Sequence, residues 1–177
     1  MRKSIAIDMD QVLANMYKKL TTTFNEIAGT NMTEDEFIVT PRGQMTPEQE
    51  KALFMALNEP DYFRDFEVLD PDCIDVLARL NERFDLFIAT AAMEVPGCFN
   101  AKYDWLREHF PFINPQHFVF CGTKSVIHTD YLIDDNPRQL RAFKGTGLLY
   151  DMPYNRHVQE FERMHSWKEI EQYFDKL

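Results

Sequence analysis

Ser4-Ile5-Ala6-Ile7-Asp8-Met9-Asp10-Gln11-Val12-Leu13 is the stretch on which the fold turns. Ser4 to Met9 reads as a short buried strand with Ile5 and Ile7 at its centre, and two aspartates fall at its end. From Val12 the period changes. Leu13, Met16/Tyr17, Leu20, Phe24 and Ile27 recur at helical spacing, and Gly29 follows as a stop. A strand that ends on carboxylates and passes straight into a helix is the opening of an α/β unit.

The alternation continues downstream. Helices are predicted over Pro71–Arg83, Ala101–Phe110, Pro137–Phe143 and Trp167–Phe174, and strands over Phe84–Thr90, His117–Phe120, Tyr131–Ile133 and Gly147–Tyr150. Asn31 to Pro60 differs in tone: it is polar and carries Pro41, Gly43 and Pro47. Its helix is expected to start at Thr46-Pro47-Glu48-Gln49, where Thr46 can cap and Pro47 can take the first helical position. The fold class is therefore α/β, a Rossmann-like parallel sheet with helices on both faces. Ligands of such sheets bind at the carboxyl ends of the strands, near the switch in strand order.

The chain of 177 residues suits one domain with a small insertion. Its hydrophobic content of 45%, with 15 Phe and 7 Tyr, supports a real core. A formal charge of −10 and the lack of a basic run argue against binding a nucleic-acid polymer. Cys73, Cys98 and Cys121 show no C-x-x-C spacing and read as reduced thiols. The apolar run after Met1-Arg2-Lys3 is cut by Asp8 and Asp10, so neither a signal peptide nor a membrane span is expected, and a cytoplasmic location is.

The chemistry-bearing residues fall at predicted strand ends: Asp8 and Asp10, Thr90, and Asp134-Asp135. Carboxylates beside apolar surface cost several kcal/mol unless paired or metal-bound. Two acidic pairs at neighbouring strand ends add like-charge repulsion, which a divalent cation relieves. Few, hard oxygen ligands suit magnesium, which keeps waters and bridges to phosphate. Lys124 would be the second cation, holding a phosphoryl group and offsetting a nucleophile's charge. Thr90, with the backbone N–H groups of Ala91-Ala92, can hold a phosphate oxygen. Gly122-Thr123-Lys124-Ser125 lacks the glycines of a phosphate-binding loop, the five His show no zinc spacing, and no G-x-S-x-G exists.

The order Asp8-Met9-Asp10-Gln11-Val12-Leu13, then Thr90, Lys124 and Asp134-Asp135, resembles the motifs of the haloacid dehalogenase (HAD) superfamily. A narrower resemblance, to the 5′(3′)-deoxyribonucleotidase family, adds Tyr62-Phe63-Arg64-Asp65-Phe66-Glu67-Val68-Leu69, Tyr103-Asp104-Trp105-Leu106, Leu132-Ile133-Asp134-Asp135-Asn136-Pro137 and His165-Ser166-Trp167. The resemblance implies that Asp8 attacks phosphorus and that Asp10 acts as general acid and then base. It implies a metal held by Asp8, the backbone carbonyl of Asp10 and Asp135, with Asp134 acting through water or a hydrogen bond. Thr90, Ala91 and Lys124 would hold the phosphoryl oxygens.

On this resemblance the HAD-like core spans 1–15 and 71–177, and 16–70 forms a small helical cap in which Phe24, Phe63 and Phe54 or Tyr62 could offer a face to a base. The family often has Ser and Lys where this chain has Ala91 and Glu94, and Arg where it has Gly122. The implied function is a Mg-dependent phosphomonoester hydrolase working through an aspartyl-phosphate on a nucleoside monophosphate. A different small phosphometabolite, or a non-catalytic nucleotide-binding protein, are the alternatives. No membrane partner is expected, and a homodimer stays open.

Overall fold

The computed structural model describes residues 2–39 and 45–177. Pro41 and Gly43, read above as breakers in the polar segment, lie outside the described residues. Six strands form one parallel sheet: β1 (Ser4–Ile7), β2 (Asp85–Thr90), β3 (Phe118–Phe120), β4 (Tyr131–Asp134), β5 (Thr146–Tyr150) and β6 (Glu162–Met164). Their order is β3-β2-β1-β4-β5-β6. The chain steps outward from β1 to one edge, returns to β4, and then steps outward to the other. The switch point therefore lies between β1 and β4, the strands that end on Asp8 and on Asp134-Asp135. Ile7 pairs with Ile88 on one side and Ile133 on the other, and the Asp8 N–H donates to the Ile133 carbonyl at 2.9 Å.

Burial on both faces explains the near-continuous apolar strands. Ile5, Ile7, Leu86, Ile88 and Ile133 point into the larger core, shared with α4 (Asp72–Arg83), α5 (Phe99–His109) and α7 (Trp167–Asp175). Ala6, Ala89, Leu132 and Leu149 face the other way, toward Leu140 of α6 (Pro137–Ala142), Phe143 and Val158. In α4, Cys73, Val76, Leu77 and Leu80 form the buried stripe, and in α7 Trp167, Ile170 and Phe174 do so, both at helical spacing.

Two differences from the sequence reading bear on the site. The first helix, α1 (Met16–Ala28), starts later than Val12. Gln11 to Leu13 form a tight turn in which the Leu13 and Ala14 N–H groups both donate to the Met9 carbonyl at 2.9 Å, and Asn15 caps the helix by accepting from Lys18 N–H. The apolar periodicity ran on through Leu13 because that residue is buried in the turn. Two short elements, α2 (Glu34–Val39) and the edge strand β6, also escaped: six and three residues are too few to show a period.

Helices α1, α2 and α3 (Pro47–Leu57) share a separate apolar cluster of Leu20, Phe24, Phe37 and Leu53. The capping box predicted at Thr46 and Gln49 is present. The two chain crossings between this helical unit and the sheet are clasped together. Leu69 N–H donates to the Leu13 carbonyl at 2.8 Å and Asn15 N–H to the Glu67 carbonyl at 2.9 Å, with Ala14 and Val68 in an antiparallel bridge. At the far end of α3, Gly97 lets the backbone after β2 approach Asn58: a Cβ there would lie 2.7 Å from the Asn58 carbonyl oxygen. Gly97→Ala should therefore lower Tm by roughly 2–10 °C, an overpacking cost spread over a domain of this size. An unchanged melting curve would show that α3 is free to shift away.

Candidate active site

Lys124 stands in a 3-10 turn, Lys124–Val126, fixed by a bond from its own N–H to Gln139 Oε1 of α6 at 2.9 Å. Its side chain is 1% exposed, and its ammonium pairs with Asp8 at the end of β1 and with Asp134 at the end of β4. Asp134 is held from its other oxygen by the N–H of Asn136 at 2.8 Å. Asp8, Asp134 and Asp135 each offer a carboxylate oxygen within 4.8 Å of one another, and all three are buried. One ammonium among three carboxylates leaves an excess of negative charge, and the donors are hard oxygens, so the cluster fits a small divalent cation.

Burial pushes the Asp8 carboxyl up to about 7; Asp134 and Asp10 add to the rise and Lys124 opposes it. Asp135 is raised well above the carboxylate range, first by burial and then by the charges of Asp134 and Asp8. Burial works against the charge of Lys124, but Asp134 and Asp8 outweigh it and its pKa rises. Lys124 is thus a permanent cation.

A second buried cation sits beside the first pair of aspartates. Lys102 of α5, with a side chain 2% exposed, pairs with Asp10 Oδ2 and donates to the Thr90 hydroxyl at 3.0 Å. Its ammonium lies 4.8 Å from the centroid of the Phe63 ring, a cation–π contact. Sequence reasoning missed Lys102. The available signal was its position on the inward face of α5, between Ala101 and Trp105-Leu106, where a charge needs a partner. It supplies a cation near a site where the sequence offers Ala91, Glu94 and Gly122. Asp10 Oδ1 and Gln11 Nε2 are buried with no hydrogen-bond partner among the described residues.

The loop after β5 braces the acidic cluster from the far side. The Tyr154 hydroxyl donates to Asp135 Oδ2, and its ring lies 5.8 Å from that of Tyr17 on α1. The buried Asn155 donates to the carbonyls of Asp135 and Tyr150, both at 2.8 Å, and accepts from Arg163 at 2.7 Å. Neither residue carries a sequence motif that would have marked it.

These groups open into a cavity of about 730 Å³. Its lining includes Asp8, Asp10, Ala91, Lys102, Lys124 and Asp135 and, from α1–α3, the apolar Leu20, Phe37, Leu53, Phe54 and Leu57 together with Glu50. Among the predicted aromatic residues, Phe63 and Phe54 line the cavity. Phe24 is not brought there: it is buried in the helical cluster, its ring 5.2 Å from that of Phe37. Tyr62 is likewise packed, against Phe63 and Phe66. Thr90 is fully buried and meets the site through Lys102.

A parallel sheet with carboxylates at its switch point and two buried lysines beside them fits the class that the family match and the curated relatives give, a phosphatase of the HAD superfamily. Solved structures bear out the fold: a haloacid dehalogenase-like hydrolase from Streptococcus pneumoniae superposes with a TM-score of 0.64 over 98% of both chains at 12% identity. A HAD family hydrolase from Deinococcus radiodurans, with bound phosphate and sodium, gives 0.67 over 99% of this chain and 96% of that one at 11% identity.

Within that class, residues 2–176 match the family model described as 5′ nucleotidase, deoxy (Pyrimidine), cytosolic type C protein, and the chain belongs to that family. A Staphylococcus epidermidis protein provisionally named 5′(3′)-deoxyribonucleotidase is 43% identical over 99% of this chain and 98% of its own length. The 5′(3′)-deoxyribonucleotidase of Bacillus subtilis is 33% identical over 97% and 98%. No helix among the described residues is long and apolar enough to cross a membrane.

The raised Asp8 pKa sets a sign for stability. Its folded value of about 7 exceeds the ordinary 3.8, so the folded state holds its proton where the unfolded chain releases it. In EDTA the Asp8 contribution is fully present below about 4 and is lost as pH rises through about 7. Asp8→Asn, which stays neutral, should raise Tm more at pH 8 than at pH 5 under these conditions. Equal shifts at both pH values would mean that Asp8 is not held in this environment.

Proposed function

We propose that the protein is a magnesium-dependent phosphomonoesterase that hydrolyses nucleoside monophosphates, deoxyribonucleotides among them, through an aspartyl-phosphate on Asp8, and that it works in the cytoplasm. One observation carries the reading: the Asp8 carboxylate, paired with Lys124, lines the same cavity as a mainly apolar set from α1–α3 that includes the aromatic Phe37 and Phe54. The charged set suits a phosphoryl group, and the apolar set suits a flat, weakly polar body such as a base.

In the first half-reaction an Asp8 oxygen forms a bond to phosphorus as the ester bond to the leaving oxygen breaks. The proton for that oxygen comes from Asp10, whose Oδ1 has no partner among the described residues. In the second half-reaction Asp10 takes a proton from water, which attacks the acyl phosphate and returns Asp8. Lys124 neutralises the transferring phosphoryl oxygens, with the Ala91 N–H as a further donor. Lys102 holds Asp10 by its other oxygen and links it to Thr90. Magnesium held by Asp8, the Asp10 carbonyl and Asp135, with Asp134 in support, would supply the positive charge that lets a carboxylate approach a phosphate. Residues 16–70 form the cap, and closing Phe54 and Phe63 over the substrate would exclude water.

Phosphate release from a panel of deoxynucleoside and ribonucleoside monophosphates tests the proposal. Magnesium-dependent turnover that EDTA abolishes is expected, with Asp8→Asn lowering kcat by about 10⁴-fold or more. Lys102→Met should lower it by roughly 10²-fold through Asp10. Turnover of sugar phosphates with none of any nucleotide would reassign the substrate to another small phosphometabolite.

A further inference from the structure

Gln11 is the one non-glycine residue in the left-handed region among the described residues, with φ at 61°. It is also 2% exposed and lines the cavity. Strained backbone and a buried amide together need a reason, since either alone destabilises a fold. The side chain is oriented by its oxygen: Oε1 accepts from the N–H of Met16, the first residue of α1, at 2.9 Å. Because only the carboxamide oxygen can accept from an N–H, the assignment of the two ends is fixed by that bond. The Nε2 is left as a buried donor with no partner among the described residues.

We infer that Gln11 is a substrate-binding residue whose Nε2 donates a hydrogen bond to an uncharged oxygen of the leaving group, next to the scissile ester. The inference rests on the phosphomonoesterase reading above. Three considerations put the contact on the leaving-group side. Gln11 directly follows Asp10, the residue assigned to the leaving oxygen, and Asp10 Oδ1 is likewise buried with no hydrogen-bond partner among the described residues. The phosphoryl side is already served by Lys124. A neutral carboxamide also suits a neutral acceptor such as a sugar oxygen, whereas Asp8 and Asp10 are met by lysines. The backbone strain then has a function: the left-handed turn folds the side chain back so that one end fastens α1 and the other faces the substrate.

The test compares kcat/KM for the nucleotide turned over best with that for p-nitrophenyl phosphate, whose leaving group offers no sugar oxygen, in wild type, Gln11→Met and Gln11→Glu. Gln11→Glu keeps the acceptor for Met16 and removes the donor, whereas Gln11→Met removes both. Loss of one neutral hydrogen bond should lower the nucleotide-to-p-nitrophenyl phosphate ratio by about 3- to 10-fold in both variants. If Gln11 only fastens α1, Gln11→Met alone loses Tm and the ratio is unchanged in either variant, which overturns the inference. Should wild type hydrolyse sugar phosphates but no nucleotide, the nucleotide reading fails. The same ratio, taken with the sugar phosphate, then decides the role of Gln11. A wild type that turns over no phosphomonoester at all removes both.

Discussion

The contact between the Lys124 ammonium and the carboxylates of Asp8 and Asp134 is the constraint on which the rest of the site depends. Three charged groups taken out of water cost several kcal/mol each unless they satisfy one another. The parallel sheet makes this arrangement possible: at the switch between β1 and β4 two strand ends deliver acidic residues to one place, and the turn after β3 brings the lysine. The arrangement sets one ammonium against three carboxylates, and burial, with the neighbouring carboxylates, pushes Asp8 and Asp135 upward. On the proposed function, this crowding of carboxylates is what a cation and a phosphoryl group would relieve.

Around that centre the helical unit and the sheet are joined at several points. The clasp of Leu13–Asn15 with Glu67–Leu69 fixes the crossings, Lys102 reaches Phe63, and Tyr154 links Asp135 to Tyr17. Each joint connects a residue of the acidic lining, directly or through one neighbour, with the segment that supplies the apolar wall. Movement of the wall would therefore be felt by Asp10 and Asp135, the carboxylates to which the proposed function gives the proton and the cation.

Much of this was legible in the sequence because it depends on local rules. Ile5, Ile7 and the switch from strand to helical period announced an α/β sheet, and Asp8, Asp10, Thr90 and Asp134-Asp135 stood at strand ends, with Lys124 between them, in the order of the HAD motifs. The sequence could not display which groups Lys102 and Tyr154 hold, because those partners lie 92 and 19 residues away and no spacing connects them. Nor could it show that Phe24 is used in packing α1 against α2, since an aromatic at helical spacing looks the same in a core and in a binding face. The late start of α1 was hidden for a related reason: Leu13 continues the apolar period while its backbone belongs to a turn. That turn gives Gln11 its strained conformation.

A crystal structure with magnesium and beryllium fluoride, a mimic of an acyl phosphate, tests the central claim most directly. The account requires the fluoride adduct on an Asp8 oxygen with Lys124 against its fluorine atoms, and the metal between Asp8 and Asp135 at about 2 Å from each. An adduct on another residue, or a metal bound away from these two carboxylates, would contradict it.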